Sequence, residues 1–165
     1  AATTAQRWLC IPQGDGGTWL TTDGGASWDK VNDGVHAHGN AQIYQDGPGG
    51  AVFMSLIYGD SGSGVYRSTD LGASFTKVDG GENQQAITWG SEKAVYSMFG
   101  WAAGSYDVAP GFEVANKPAT SGWQSVATPA GMVQGPNSVA VTKNGSSTVF
   151  VGNMWRAGIW RYVEP

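Results

Sequence analysis

Two phrases set 47 residues apart constrain this chain more tightly than any other feature: TTDGGASW at residues 21–28 and STDLGASF at residues 68–75. Both follow one formula, in which Ser or Thr, Asp, Gly, Ser and an aromatic recur with single free positions between the first four. Asp23 and Asp70 fill equivalent places, as do the closing Trp28 and Phe75. A third copy lacks the Asp but keeps the frame. There Ser121-Gly122-Trp123-Gln124-Ser125-Val126 matches Ala26-Ser27-Trp28-Asp29-Lys30-Val31, and Trp123 stands 48 residues after Phe75. Upstream aromatics keep the same beat, with Trp19, Tyr66, Phe112 and Trp160 spaced by 47, 46 and 48. Self-similarity at a fixed period marks a repeat architecture, in which each unit is one supersecondary element.

Within one period the chain reads as four short strands separated by turn residues. In the second period these are Ala41–Tyr44, Val52–Tyr58, Val65–Ser68 and Phe75–Val78. The third repeats them as Ala86–Trp89, Ala94–Phe99, Phe112–Ala115 and Trp123–Val126. Val, Ile, Tyr, Phe and Trp fill these runs, as a pleated and half-buried surface prefers. No window carries a helical period. Three strands precede the first complete unit (Arg7–Ile11, Thr18–Thr21, Trp28–Val31), and three follow the second (Ser138–Thr142, Val149–Asn153, Ile159–Val163).

Four antiparallel strands per unit, repeated at just under fifty residues, predict the blades of a β-propeller. The expected fold is all-β, one segment over residues 1–165, with blades at about 1–34, 35–81, 82–129 and 130–165. About three and a half blades do not close a ring, and an open arc exposes apolar faces and unpaired edges. A second half-propeller chain, a homo-oligomeric copy or a cleaved partner, is therefore expected to complete a ring of roughly seven blades.

Composition removes other classes. Charged residues make up 13% of the chain and the formal net charge is −4, which argues against nucleic acid as a partner. At 41% hydrophobic and 12% aromatic, the sequence is able to bury ample surface and is not of the disordered type. No apolar run has membrane length, and Ala1 does not open a signal peptide. Eight Trp suit both cores and sugar-stacking platforms, with most rings expected in the core. Cys10 is the single cysteine and is expected to be a small buried hydrophobe. Asn144-Gly145-Ser146 matches a glycosylation sequon.

The phrases TTDGGASW and STDLGASF resemble Asp-box (BNR) repeats, found in propellers of sialidases, xyloglucan-active glycoside hydrolases, polysaccharide lyases, sortilin-type receptors and a photosystem assembly factor. The resemblance covers nearly the whole chain through its frame. It implies a secreted, extracellular, carbohydrate-active propeller, of which this chain is the C-terminal half, acting as a glycoside hydrolase or polysaccharide lyase. The alternative it leaves open is a non-catalytic lectin-like or protein-assembly propeller. The residues themselves read as a structural Asp box: Asp23, Gly25, Ser27 and Trp28 in the first, Asp70, Gly72, Ser74 and Phe75 in the second. An Asp opening a tight turn accepts hydrogen bonds from backbone N–H groups two or three residues on. Trp28 and Phe75 are expected to tuck between strands. Calcium needs six or more oxygens, which one Asp per turn does not supply. No cofactor is called for.

In such a fold the Asp-box turns lie on one face and the remaining loops on the other. That second face collects 32–40, 59–64, 80–85, 101–110, 130–137 and 154–157. His36, His38, Tyr58, Asp60 and Asp107 are the catalytic candidates there. Asn40, Asn83, Trp101, Tyr106, Asn137, Trp155 and Arg156 are the candidates for binding substrate. Aromatic platforms with hydrogen-bonding forks are what a sugar site requires. A His beside Tyr58 suits proton abstraction next to a uronate carboxylate that Arg156 neutralises. Asp60 and Asp107 suit the paired carboxylates of a glycosidase. His36 and His38 point the same way in an extended segment, but no third metal ligand is evident. A sialidase is disfavoured, since Arg156 is the one arginine on that face. Gly59-Asp60-Ser61-Gly62 looks like the surroundings of a serine-protease nucleophile, but here it falls in a loop between blade strands.

Overall fold

The computed structural model describes residues 5–12, 16–32, 42–56, 64–79, 84–90, 94–99, 111–132, 136–144, 146–153 and 159–164. Among them lie fourteen strands and no helix. The first sheet is β1 (Trp8–Cys10), β2 (Thr18–Thr21) and β3 (Asp29–Asn32). The second is β4 (Gln42–Gln45), β5 (Val52–Leu56), β6 (Gly64–Ser68) and β7 (Thr76–Asp79). The third is β8 (Gln84–Trp89), β9 (Ala94–Phe99), β10 (Gly111–Asn116) and β11 (Gln124–Val126). The fourth is β12 (Pro136–Asn144), β13 (Ser146–Asn153) and β14 (Ile159–Val163). Every sheet is an antiparallel meander of consecutive strands. Strand ends differ from the sequence reading by one or two residues in most cases. Trp28, Phe75 and Trp123 each stand just before their strand, because the turn they close takes them out of the ladder.

Alternation along the strands explains how the sheets stack. A strand sends successive side chains to opposite faces, so a strand covered on both sides is apolar throughout. In β5 all five residues are buried. Val52, Met54 and Leu56 face the first sheet, meeting Leu9, Leu20 and Ile11. Phe53 points the other way, into a cluster with Val65 of its own sheet and Ile87, Val95 and Ala115 of the third. The same switch recurs in β9, where Val95 faces back and Ala94 and Tyr96 face forward toward Val139, Val141, Trp160 and Tyr162. Each sheet is thus one layer, and cores form between consecutive layers.

The closing aromatics follow the stacking. Phe75 packs against the first-sheet side of the second sheet, and Trp123 against the Phe53 cluster of the sheet before it. Trp28 departs from expectation: it is 39% exposed instead of tucked between strands, because among the described residues no sheet packs on the outer side of its own. Cys10 corrects a second expectation. It alternates with buried Leu9 onto the outer face of β1 and is exposed beside Trp8. At the other end Ile159 and Val163 are exposed on the outer face of β14, while Trp160 and Tyr162 pack inward. Among the described tryptophans none is fully buried; Trp19, Trp89, Trp123 and Trp160 are half-buried.

Candidate functional site

The two ends of the sheets are built differently. At one end are the turns that carry the repeated phrase, and the two copies match almost atom for atom. In the first, the Ser27 amide donates to Asp23 Oδ1 at 2.9 Å and the Ser27 hydroxyl to Oδ2 at 2.6 Å. The Thr21 hydroxyl donates to Oδ1 at 2.7 Å and accepts from the Gly25 amide at 2.9 Å. In the second, Ser74 and Ser68 repeat these contacts on Asp70, at 2.9, 2.6 and 2.7 Å, with the Gly72 amide on Ser68 at 2.8 Å. The amide captured in both copies lies four residues after the Asp, and in the first the Ala26 amide, three residues on, adds a weaker bond. A left-handed residue right after the Asp, Gly24 (φ 75°) or Leu71 (φ 58°), turns the chain back toward the carboxylate. Ala119 (φ 53°) holds the equivalent place in the third turn, where its amide donates to Asn116 O at 2.7 Å. The third turn shares that left-handed position without the Asp but takes its own path, with a cis Lys117-Pro118 bond and Gly122 at φ 75°.

These bonds favour the charged carboxylate. Asp23 is held below the usual carboxylate range by the Ser27 hydroxyl first, then by the Ser27 amide and the Thr21 hydroxyl. For Asp70 burial pushes upward, but the hydroxyls of Ser74 and Ser68 and the Ser74 amide outweigh it and bring the group to about 2. A carboxylate lowered on folding contributes stability above its unfolded value of 3.8 and loses it as pH falls toward about 2. Replacing Asp70 with Ala is therefore expected to cost about 1–2 kcal/mol at neutral pH, discounted for solvent screening. The part of that difference that comes from ionisation should shrink as pH falls below 3.8 and be lost only once it passes below about 2. Urea midpoints of the two proteins across pH check it. Asp23→Ala should be milder, since that carboxylate is wholly exposed.

The same end ties the sheets together. Arg7 Nε donates to Leu71 O at 2.8 Å, linking the first sheet to the second. Lys117 Nζ pairs with Asp46 Oδ1 at 2.5 Å and sits 4.7 Å from the Trp89 ring centroid, linking the third to the second. Glu164, buried, follows β14 and meets Tyr96. Burial, then the hydrogen bond and charge of Glu164, push the Tyr96 hydroxyl up, so it stays protonated as a donor.

At the opposite end, register brings the flanks of the remaining connections together in each sheet. Gln42 pairs with Ser55, and Leu56 with Gly64, so the chain enters β4, leaves β5 and enters β6 at one end. In the third sheet Gln84 and Gly111 both pair with Phe99. His36, His38, Tyr58, Asp60 and Asp107 all lie outside the described residues, as do Asn40, Asn83, Trp101, Tyr106, Trp155 and Arg156. Asn137 lies in β12, at a register irregularity opposite the end of β13.

One feature of the phrase-bearing end was missed in the sequence. Arg67, Thr69, Ser74, Thr76, Lys77, Val78 and Thr120 line a cavity of about 270 Å³ between the second sheet and the third turn. Arg67 pairs with Thr76, as Leu20 pairs with Asp29 in the first sheet and Val114 with Gln124 in the third. Pairing registers, and not the turns, set Arg67 level with Leu20 and Val114 in the first and third sheets and with Arg161 in the fourth.

All these features define an all-β fold consistent with a partial β-propeller. The solved structure of an ancestral GH74 enzyme resembles this chain with a TM-score of 0.63 at 20% identity, over 90% of this chain and 20% of that one. The chain thus spans about a fifth of the length of that enzyme, and the likeness is one of fold. No family model matches the chain, and no curated protein does.

Proposed function

We propose that this chain is part of a carbohydrate-active propeller enzyme, a glycoside hydrolase, whose substrate lies across the end opposite the phrase-bearing turns. The observation that carries the reading is the fold likeness to a GH74 enzyme over 90% of the chain. The two phrases are then Asp boxes that staple turns, which agrees with carboxylates saturated by their own turn and left with no role in catalysis. In this reading Asp60 and Asp107 are the paired carboxylates, one protonating the leaving oxygen and the other activating water or attacking the sugar. Asn40, Asn83, Trp101, Tyr106, Asn137, Trp155 and Arg156 hold the glycan. If the enzyme is instead a polysaccharide lyase, His36 or His38 with Tyr58 carries the proton and Arg156 neutralises the uronate.

The test incubates the full-length protein with plant, algal and microbial polysaccharides and follows both reducing ends and the ultraviolet absorbance of unsaturated uronates. Reducing ends without absorbance are expected. Asp60→Asn or Asp107→Asn should then lower the rate by about 10²–10⁴-fold, with His36→Ala far milder. Absorbance gain, lost in the His variants, would turn the reading to a lyase. Glycan binding with no turnover on any substrate would favour the lectin-like alternative.

The proposal includes secretion and completion of the arc to roughly seven blades by further sheets. Trp8 and Trp28 on one outer face, and Ile159 and Val163 on the other, are apolar surface that such neighbours would cover. Cys10 reports on this directly, since it shares the outer face of β1. In the full-length native protein its thiol should react slowly with a maleimide, followed by mass spectrometry of its peptide, and quickly after denaturation. Equal rates in both states would remove the covering sheet.

A further inference from the structure

The cavity beside β6 and β7 stands apart from the proposed sugar site, at the other end of the sheets. Two of its lining residues are cations, four carry hydroxyls, and none is a carboxylate. Such a lining suits an anion, since guanidinium and hydroxyl groups all donate hydrogen bonds and the cation adds charge assistance. The protein as a whole is acidic, with a formal net charge of −4, so a cationic cavity is a local feature and not part of a generally basic surface.

The repeat supplies an internal control on each residue. Lys77 has a structural counterpart: Lys30 holds the same register in the first sheet, where its ammonium lies 5.7 Å from the Trp19 ring centroid. Arg67 has none in the first or third sheet, and its level in the fourth is held by Arg161. Its register position is Leu20 in the first sheet, 5% exposed, and Val114 in the third. Packing alone is therefore satisfied by an aliphatic residue there. Arg67 gains no Nε hydrogen bond in exchange, because that nitrogen is buried without a partner among the described residues. Its guanidinium carbon lies 5.9 Å from the Phe53 ring centroid, which fixes the charged head against a rigid core ring. Thr76, its cross-strand partner, replaces the Asp29 of the first sheet, removing a carboxylate from the spot. Relative to the first sheet both changes favour an anion, whereas the third sheet holds the uncharged pair Val114 and Gln124 at these places.

We propose that this cavity binds a small oxyanion, a sulfate, phosphate or carboxylate group, between Arg67 and the hydroxyls of Thr69, Thr76 and Thr120. A volume of about 270 Å³ equals that of roughly nine waters, so there is room for the group alone or for the sugar that bears it. The site is independent of the activity proposed above, and its test does not use turnover.

Threonine-methyl-labelled full-length protein is titrated with inorganic sulfate, with inorganic phosphate and with a uronate, at ionic strength held constant by sodium chloride. Saturable methyl shifts at Thr69, Thr76 and Thr120 are expected. Saturation at lower concentration with the uronate assigns the group to a sugar, and the reverse order assigns it to the free ion. Arg67→Leu restores the residue of the first sheet and should fold normally, yet weaken binding by about tenfold or more. Thr76→Asp, which restores the carboxylate of the first sheet, should act likewise. No saturable shift with any of the three anions, unchanged affinity in Arg67→Leu, or equal shifts with a neutral hexose would each overturn the proposal.

Discussion

Replacing Phe53 with Ala is expected to lower stability by about 3–5 kcal/mol. The ring is 2% exposed and sits where the second and third sheets meet, against Val65, Ile87, Val95 and Ala115. Its removal leaves a cavity between two ladders whose backbone hydrogen bonds hold their spacing, so the walls collapse only in part. Ile159→Ala removes an apolar side chain that is 83% exposed in this chain, so it should cost less than about 1 kcal/mol within the described sheets, and more only where the covering sheet proposed above is present. Denaturant unfolding of the two variants compares the cost of a contact between sheets with that of an outer face. Equal losses would mean that the layers are not stacked as described. A large loss at Ile159 alone would mean that another sheet covers it.

Gly72→Ala is expected to cost about 2–4 kcal/mol, through two effects at one atom. The residue has φ 86°, in the left-handed region, and a Cβ there would stand 2.6 Å from Leu9 Cδ1. Leu9 is 3% exposed in the core between the first and second sheets, so it has little room to retreat. Gly24→Ala separates the two effects. Its φ is 75° but a Cβ there meets nothing within 4 Å, so only the backbone cost of about 1–2 kcal/mol should remain. Adding Leu9→Ala to Gly72→Ala should cost less than the sum of the single changes, by about 1 kcal/mol or more. Strict additivity in that cycle would separate the turn from the first sheet.

The period was legible because a blade has to repeat both its turn and its strand alternation, and both leave marks in sequence. Fourteen strands could be read from runs such as Val52–Leu56, where apolarity on both faces already tells of layers on both sides. Solvent on the outer layers was less legible. Trp28 and Phe75 hold the same place in the phrase, and only the position of their sheets in the stack makes one exposed and the other packed. Cys10 follows the same logic, as its type suggested a buried residue while its alternation with Leu9 put it outside. Arg67 was not visible from the turns, since pairing registers are what align it with Leu20, Val114 and Arg161. The loop candidates, His36 to Arg156, were reached from loop placement, and the described strand ends flank the loops that carry them.

The most direct measurement is a structure of the full-length protein with an oligosaccharide from a polysaccharide that supports the proposed hydrolase activity. The account predicts sugar density across the end of the sheets opposite Asp23 and Asp70, with Asp60 and Asp107 flanking one glycosidic bond. Density confined to the phrase-bearing end, or to the outer faces of β1 and β14, would contradict it.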